Sequence, residues 1–342
     1  MKKHFNLILC TALLFVMGVE KVVAQELYPI EEKGKYGFID KTGKVIVAPT
    51  FDFAQGFSED MAVVKSGSAY GFIDKSGKLV IPATFDKATD FTEGMSAVKK
   101  GAKWMYVDKT GKSLFEVKCD FAYKFSGGMA RLQIGAKLGY TDKTGNISIK
   151  PDFDAAYDFV DGIARVQKGG KWGFIDKTGK AVVECKYSFA WDFSDGLANV
   201  RLGDEKTGKW GYIDKTGKVV IEMKFDRAWP FSEGLAPILV GDFKSGKLGY
   251  IDKTGKFTID PQFTGAEMFK DGLACVSTSQ LVNGVLKDPK WQYIDKTGKI
   301  VIPKAFAYKS NFSKGLAKVS AADLKAGYSF GYIDKSGKFI WP

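Results

Sequence analysis

One acidic residue recurs down this chain at Asp40, Asp74, Asp108, Asp142, Asp176, Asp214, Asp252, Asp295 and Asp334. Each opens an Asp-Lys-Thr-Gly or Asp-Lys-Ser-Gly turn, and the spacings are 34, 34, 34, 34, 38, 38, 43 and 39 residues. A period of this size specifies a repeat architecture. Each unit is too small to bury its own apolar face and must stack on its neighbours.

Aligned on the Asp, the repeats share a grammar. Strand A resembles Leu197-Ala198-Asn199-Val200, and strand B resembles Lys171-Trp172-Gly173-Phe174-Ile175-Asp176. Strand C is β-branched, as at Val219-Val220-Ile221, which suits a pleated surface. In the turn between B and C, the Asp side chain can close on its own backbone and the Gly supplies a positive φ. The Gly inside strand B leaves room for close backbone approach. A segment of the form Phe-Asp-x-Ala-x-x-Phe-Ser-x-Gly then leads to the next strand A. Its second Phe recurs without exception at Phe57, Phe91, Phe125, Phe159, Phe193, Phe231, Phe269 and Phe312. These rings are expected in the core, stacked from repeat to repeat.

The expected fold is therefore all-β: an open superhelical, solenoid-like array of nine three-stranded antiparallel units. Nine units are many for a closed ring, and neither chain end carries a spare strand to complete a shared blade. A β-propeller-like ring is the alternative. Later repeats lengthen only between strands A and B, at 203–208 and 277–290 for example. Such insertions project from one rim.

Before the repeats, Met1-Lys2-Lys3 precedes an apolar run from Leu7 to Val19 and the small residue Ala24. This reads as a signal peptide over residues 1–24, followed by a single repeat domain over 25–342. The run is too short to span a bilayer. The expectation is an exported protein, periplasmic or extracellular, with no membrane span. Cys119, Cys185 and Cys275 sit at unrelated places in three repeats; they are expected as free thiols rather than a disulfide framework.

The units Trp172-Gly173-Phe174-Ile175-Asp176-Lys177-Thr178-Gly179-Lys180 and Phe193-Ser194-Asp195-Gly196-Leu197-Ala198 resemble the WG repeat family of bacterial exported β-repeat proteins. Trp itself stands only at Trp104, Trp172, Trp210 and Trp291, and Met105 and Gln292 replace the Gly. The resemblance implies a binding or scaffolding array and carries over no catalytic residue.

No catalytic constellation rises above the repeat background. The one histidine, His4, lies in the leader, which removes the commonest general base and metal ligand from the domain. The cysteines make no zinc spacing, and the repeated acids have sufficient turn roles. The expectation is a protein with no catalytic residues, no metal and no cofactor. Two features point to binding. Lysines flank nearly every turn, from Lys41 and Lys44 to Lys335 and Lys338, within a chain of net charge +12. They could line one edge and attract an anionic envelope polymer. The second feature is one variable position, fifteen residues after each Asp. It reads Gln55, Thr89, Tyr123, Tyr157, Trp191, Trp229, Glu267 and Ser310. A core position would be apolar throughout. The four central aromatics Tyr123, Tyr157, Trp191 and Trp229 are the candidate ligand site, an exposed ladder for sugar rings or an apolar protein surface. The function expected is a non-enzymatic scaffold that presents an extended surface to a protein or envelope glycan. A carbohydrate-active enzyme with a carboxylate pair and a purely structural spacer are the alternatives. Nucleic acid is not an expected partner.

Overall fold

The computed structural model describes residues 26–320 and 330–342; the signal peptide read at 1–24 lies outside them. Among the described residues, nine antiparallel sheets of three or four strands follow one another along the chain, beside one two-stranded hairpin. Eight are four-stranded; the first, residues 27–51, has three strands among the described residues. They are blades of a closed ring, a β-propeller, and this corrects the expectation of an open array of three-stranded units. The fourth strand comes from the connecting segment. Its Phe-Asp-x-Ala stretch contributes a two-residue strand that pairs with the following strand A. Blade 6 shows the order: Phe189–Ala190, Leu197–Leu202, Lys209–Asp214 and Val219–Phe225. Two residues are too few to show a period of two.

The blades taper by composition. The short strand buries small residues such as Ala122 and Ala190, and strand A alternates Ala198 and Ala236 with the larger Val200 and Ile238, all fully enclosed. Farther out, strand B buries Tyr106, Tyr140, Phe174, Tyr212 and Tyr250. Small side chains let sheets converge toward an axis, and large ones fill the widening gap behind. Strand C is the outer edge, exposed at alternate residues such as Val220, Glu222 and Lys224. Gly173 shapes that edge. A Cβ there would lie 2.5 Å from the Val183 carbonyl oxygen. The pairing steps from Trp172–Tyr187 to Phe174–Val183 across it, leaving two extra residues on strand C as a bulge. Where Met105 replaces the Gly, the register runs straight through that point, whereas Gln292 keeps the step, from Trp291–Phe306 to Tyr293–Ile302.

Blades are joined by three recurring contacts. The recurrent Phe does not stack on its own copies, as the sequence suggested. It packs on the strand-B aromatic of the preceding blade, for example Tyr140–Phe159 and Tyr212–Phe231, with centroids 4.8 and 4.7 Å apart. Such a pair adds about 0.5–1.5 kcal/mol beyond burial. The following Ser donates across to the next blade, as from Ser194 Oγ to the Phe231 carbonyl at 2.6 Å. The acids read as turn residues also cross: Asp195 and Glu233 accept the Gly234 and Gly272 N–H groups at 2.7 and 3.0 Å.

The same grammar, altered, closes the ring. The ninth blade places Lys314 where blades 2 to 8, except blade 4 with Gly127, place an acid, and its Nζ meets Glu26 Oε2 of the first blade at 2.6 Å. Tyr28 takes the place of the recurrent Phe against Tyr332, with centroids 5.8 Å apart. The Tyr332 hydroxyl donates to the Pro29 carbonyl at 2.9 Å, and the Tyr28 hydroxyl to the Lys314 carbonyl at 2.6 Å. No shared strand is needed, because side chains make the seam.

Candidate binding site in the clefts between blades

The variable column follows the short strand, and strand A positions it. The Tyr157, Trp191 and Trp229 N–H groups donate to the carbonyls of Arg165, Asn199 and Pro237 at 3.0, 3.0 and 3.1 Å. The preceding blade holds the column from behind, through strand-B tyrosine hydroxyls. Tyr106 donates to the Tyr123 carbonyl at 2.6 Å, while Tyr140 and Tyr212 donate to those of Tyr157 and Trp229 at 2.8 Å. Tyr157 and Trp191 are each 39% exposed, and Tyr123 and Trp229 are half-buried.

The four aromatics divide into two kinds of surroundings. Tyr123 and Tyr157 are covered by arginines of strand A. The Arg131 guanidinium lies 4.0 Å from the Tyr123 centroid and 5.8 Å from that of Tyr157. Arg165 lies 3.7, 4.8 and 5.9 Å from Tyr157, Trp172 and Trp191. Both arginines reach the next blade, where Arg131 Nε meets Asp158 Oδ1 at 2.8 Å and Arg165 Nε meets Asp192 Oδ1 at 2.9 Å. Each also donates to a carbonyl there, Ala156 and Ala190 respectively. These clefts are filled by their own chain.

One blade later the filling stops. The residue equivalent to Arg165 is Asn199. Its Nδ2 reaches the equivalent carbonyl, Ala228, at 2.7 Å, and Pro230 stands where Asp192 stood. Between blades 6 and 7 a hollow of about 370 Å³ opens, lined by Phe189, Trp191, Arg201, Glu205, Trp210, Arg227, Ala228 and Trp229. That volume falls in the range of small-molecule sites, about 300–1,000 Å³. Trp104 donates its indole N–H to the Asp120 carbonyl. Those of Trp191, Trp210 and Trp229 meet no acceptor among the described residues. In the following blade the arginine position is Pro237, and a second hollow of about 410 Å³ opens. Its walls include Trp229, Phe243, Leu248, Val285, Leu286 and Trp291. Trp229 thus faces both.

The inserted A–B loops frame these hollows. Glu205 comes from the loop at 203–208, Phe243 from that at 241–246, and Val285–Leu286 from a hairpin with Leu281–Val282 inside the longest insertion. Sequence reasoning singled out both the aromatic column and the lengthened loops; the fold joins them at blades 6 to 8. It missed Trp210, Arg201, Arg227 and Phe243. A signal existed: Arg131 with Asp158 and Arg165 with Asp192 are both 27 residues apart, and the pattern lapses at Asn199 and Pro230.

The other sequence features have structural partners. In the turns, Asp176 Oδ1 accepts from the Thr178 hydroxyl at 2.6 Å and from the Thr178 and Lys180 N–H groups at 2.9 and 3.1 Å. The hydroxyl bond foremost, then the N–H bonds, hold its pKa below the ordinary carboxylate value. Turn lysines cross to the preceding blade's acids, as in Lys143–Glu93 at 2.9 Å and Lys215–Asp161 at 3.0 Å. The three cysteines are free. Cys275 is buried, and Cys119 and Cys185 are half-buried. Burial pushes the Cys275 thiol up to about 12, far from a reactive thiolate. Among the described residues no group of His, Cys, Asp and Glu is placed to hold a metal ion, and no helix is long and apolar enough to cross a membrane.

A family model described as WG containing repeat matches residues 36–68, 70–104, 104–137, 139–172, 172–205, 210–242, 249–279 and 291–321. No curated protein matches the chain. Among solved structures, apo AztD from Citrobacter koseri is similar at 13% identity and a TM-score of 0.42, covering 82% of this chain and 95% of that one. Hsv2p from Kluyveromyces lactis is similar at 7% identity and a TM-score of 0.41, covering 71% and 92%. Likeness at this level says nothing of ligand or activity.

Proposed function

The chain belongs to the WG containing repeat family, and we propose that it is a non-enzymatic binding protein of the cell envelope. It is exported behind residues 1–24 and holds a saccharide in the cleft between blades 6 and 7. One observation carries the reading. Trp191, Trp210 and Trp229 border one hollow, and their indole N–H groups have no acceptor within the described chain. Flat apolar faces with a polar handle suit a ring that has a C–H face and a hydroxyl edge. The rival reading, a carbohydrate-active enzyme, needs two carboxyl groups flanking the bond, about 5–9.5 Å apart. This hollow is lined by one acid, Glu205.

A second reading, a protein partner, is favoured by the neighbouring hollow. There Phe243 is 56% and Val285 69% exposed, and exposed apolar patches mark interaction surfaces. An anionic polymer along the turn lysines is a weaker companion, because several of those lysines already pair with acids of the preceding blade.

The test is titration of the full-length protein with envelope glycan fragments, followed by tryptophan fluorescence. Trp191→Ala with Trp229→Ala should weaken binding at least about tenfold. Unchanged binding in that double variant would sink the proposal.

A further inference from the structure

We propose that the saccharide held between blades 6 and 7 is acidic: a hexuronate-type sugar whose carboxylate is bound by Arg201 and Arg227. This rests on the saccharide reading above and adds the charge. The space concerned is the one Arg165 fills a cleft earlier, among Tyr157, Trp172 and Trp191. The equivalent rings here are Trp191, Trp210 and Trp229, and Asn199 leaves the space among them open.

An emptied cation–π box would by itself invite a cation. Its mouth decides otherwise. Arg201 stands 5.7 Å from the Trp210 centroid, with Nε on Ser188 Oγ at 3.2 Å. Arg227 lies 4.7 Å from the Phe243 centroid. Neither is ion-paired among the described residues, whereas Arg131 and Arg165 hold Asp158 and Asp192. Two guanidinium groups line the hollow against one lining carboxylate, Glu205; Asp204 acts on Arg201 from outside the lining, so the wall itself repels a third cation and attracts an anion. A guanidinium fork also matches a carboxylate with two parallel hydrogen bonds. The indoles select a ring with an apolar face, and the arginines select an anionic group on its edge. A neutral sugar leaves the arginines unpaired, and an anion without a ring leaves the indoles uncovered.

The experiment titrates the full-length protein with trigalacturonate and trimannuronate, each compared with its methyl ester, by calorimetry. At least one acid trimer should bind about tenfold or more tightly than its ester, with affinity falling as salt rises. Arg201→Ala with Arg227→Ala should remove that preference, so that acid and ester trimers bind within about twofold of each other. Melting of the double variant within a few degrees of the parent establishes that it is folded. Equal affinity for acid and ester, or a preference that survives the double substitution, overturns the acidic class and leaves the saccharide reading standing. Silence toward both acids and esters, together with unchanged glycan capture by the Trp191 and Trp229 variant, overturns both.

Discussion

Blades 4 and 5 and blades 6 and 7 are built on one plan, yet their clefts behave oppositely. Behind Arg131 and Arg165 the aromatic column is satisfied from within, by a cation over the rings and a carboxylate on the cation. At Asn199 and Pro237 the chain keeps the backbone and withdraws the side chain. The aromatics of the next two clefts are left facing space. The column alone therefore does not make a site. What opens a cleft is the loss of the neighbour that covers the column, one strand away. The exposed Tyr157 is occupied by Arg165, whereas the half-buried Trp229 borders two hollows.

The largest test of this contrast removes the filler. The Arg165 side chain is 3% exposed, while Asp192 is 43% exposed. Arg165→Ala strips the Ala190 carbonyl and Asp192 of their donor and opens a void among three rings. Losing a buried partner costs about 3–5 kcal/mol, and the exposure of Asp192 discounts this to about 2–3 kcal/mol. Urea unfolding measures it, and saccharide binding at blades 6 and 7 should persist. A loss below about 0.5 kcal/mol would show that Arg165 is not what holds that cleft.

The reciprocal change sharpens the contrast. Asn199→Arg with Pro230→Asp transplants the filled arrangement into the open cleft. The new guanidinium should settle among Trp191, Trp210 and Trp229 and weaken ligand binding more than about tenfold. Stability should change by no more than about 2 kcal/mol in either direction, because the gain from the new pair is offset by desolvating a buried guanidinium. Calorimetry with the same trimers reads the first effect and urea unfolding the second. Undiminished binding would place the ligand elsewhere on the ring.

Much of this was legible in the residues, and the gaps have physical reasons. Period, strand order, turn chemistry and the buried Phe column all follow from local pattern, because each is fixed by backbone geometry within one unit. Closure is not local. It depends on how much each interface rotates one blade against the next. That angle is set by the alanine-to-tyrosine taper across the sheet, and no single repeat displays it. The seam left only faint marks, Lys314 in a mostly acidic column and Tyr28 where a small residue is usual. The site was half legible for a related reason. Exposure of a column can be read from its tolerance of polar residues, but its cover is a side chain from another strand and reaches across a blade boundary.

The smallest expected effect tests whether the two regions differ anywhere besides their clefts. Asp176 in blade 5 and Asp214 in blade 6 accept the same three hydrogen bonds. Those at Asp214 are 2.8 Å from the Thr216 N–H, 2.6 Å from its hydroxyl and 3.1 Å from the Lys218 N–H. Both carboxyls titrate below their ordinary value, through the hydroxyl bond first. A group whose folded pKa is depressed contributes stability that is present above its unfolded pKa and fades as pH falls through the folded one. For Asp that window lies below about pH 4. Asp176→Asn and Asp214→Asn should therefore lower the melting temperature slightly and equally at pH 7. The parent should lose that advantage over both variants as the acid window is crossed. Unequal losses would mean that the contents of a cleft reach the turns beside it, and the two regions could no longer be compared as one scaffold with different fillings.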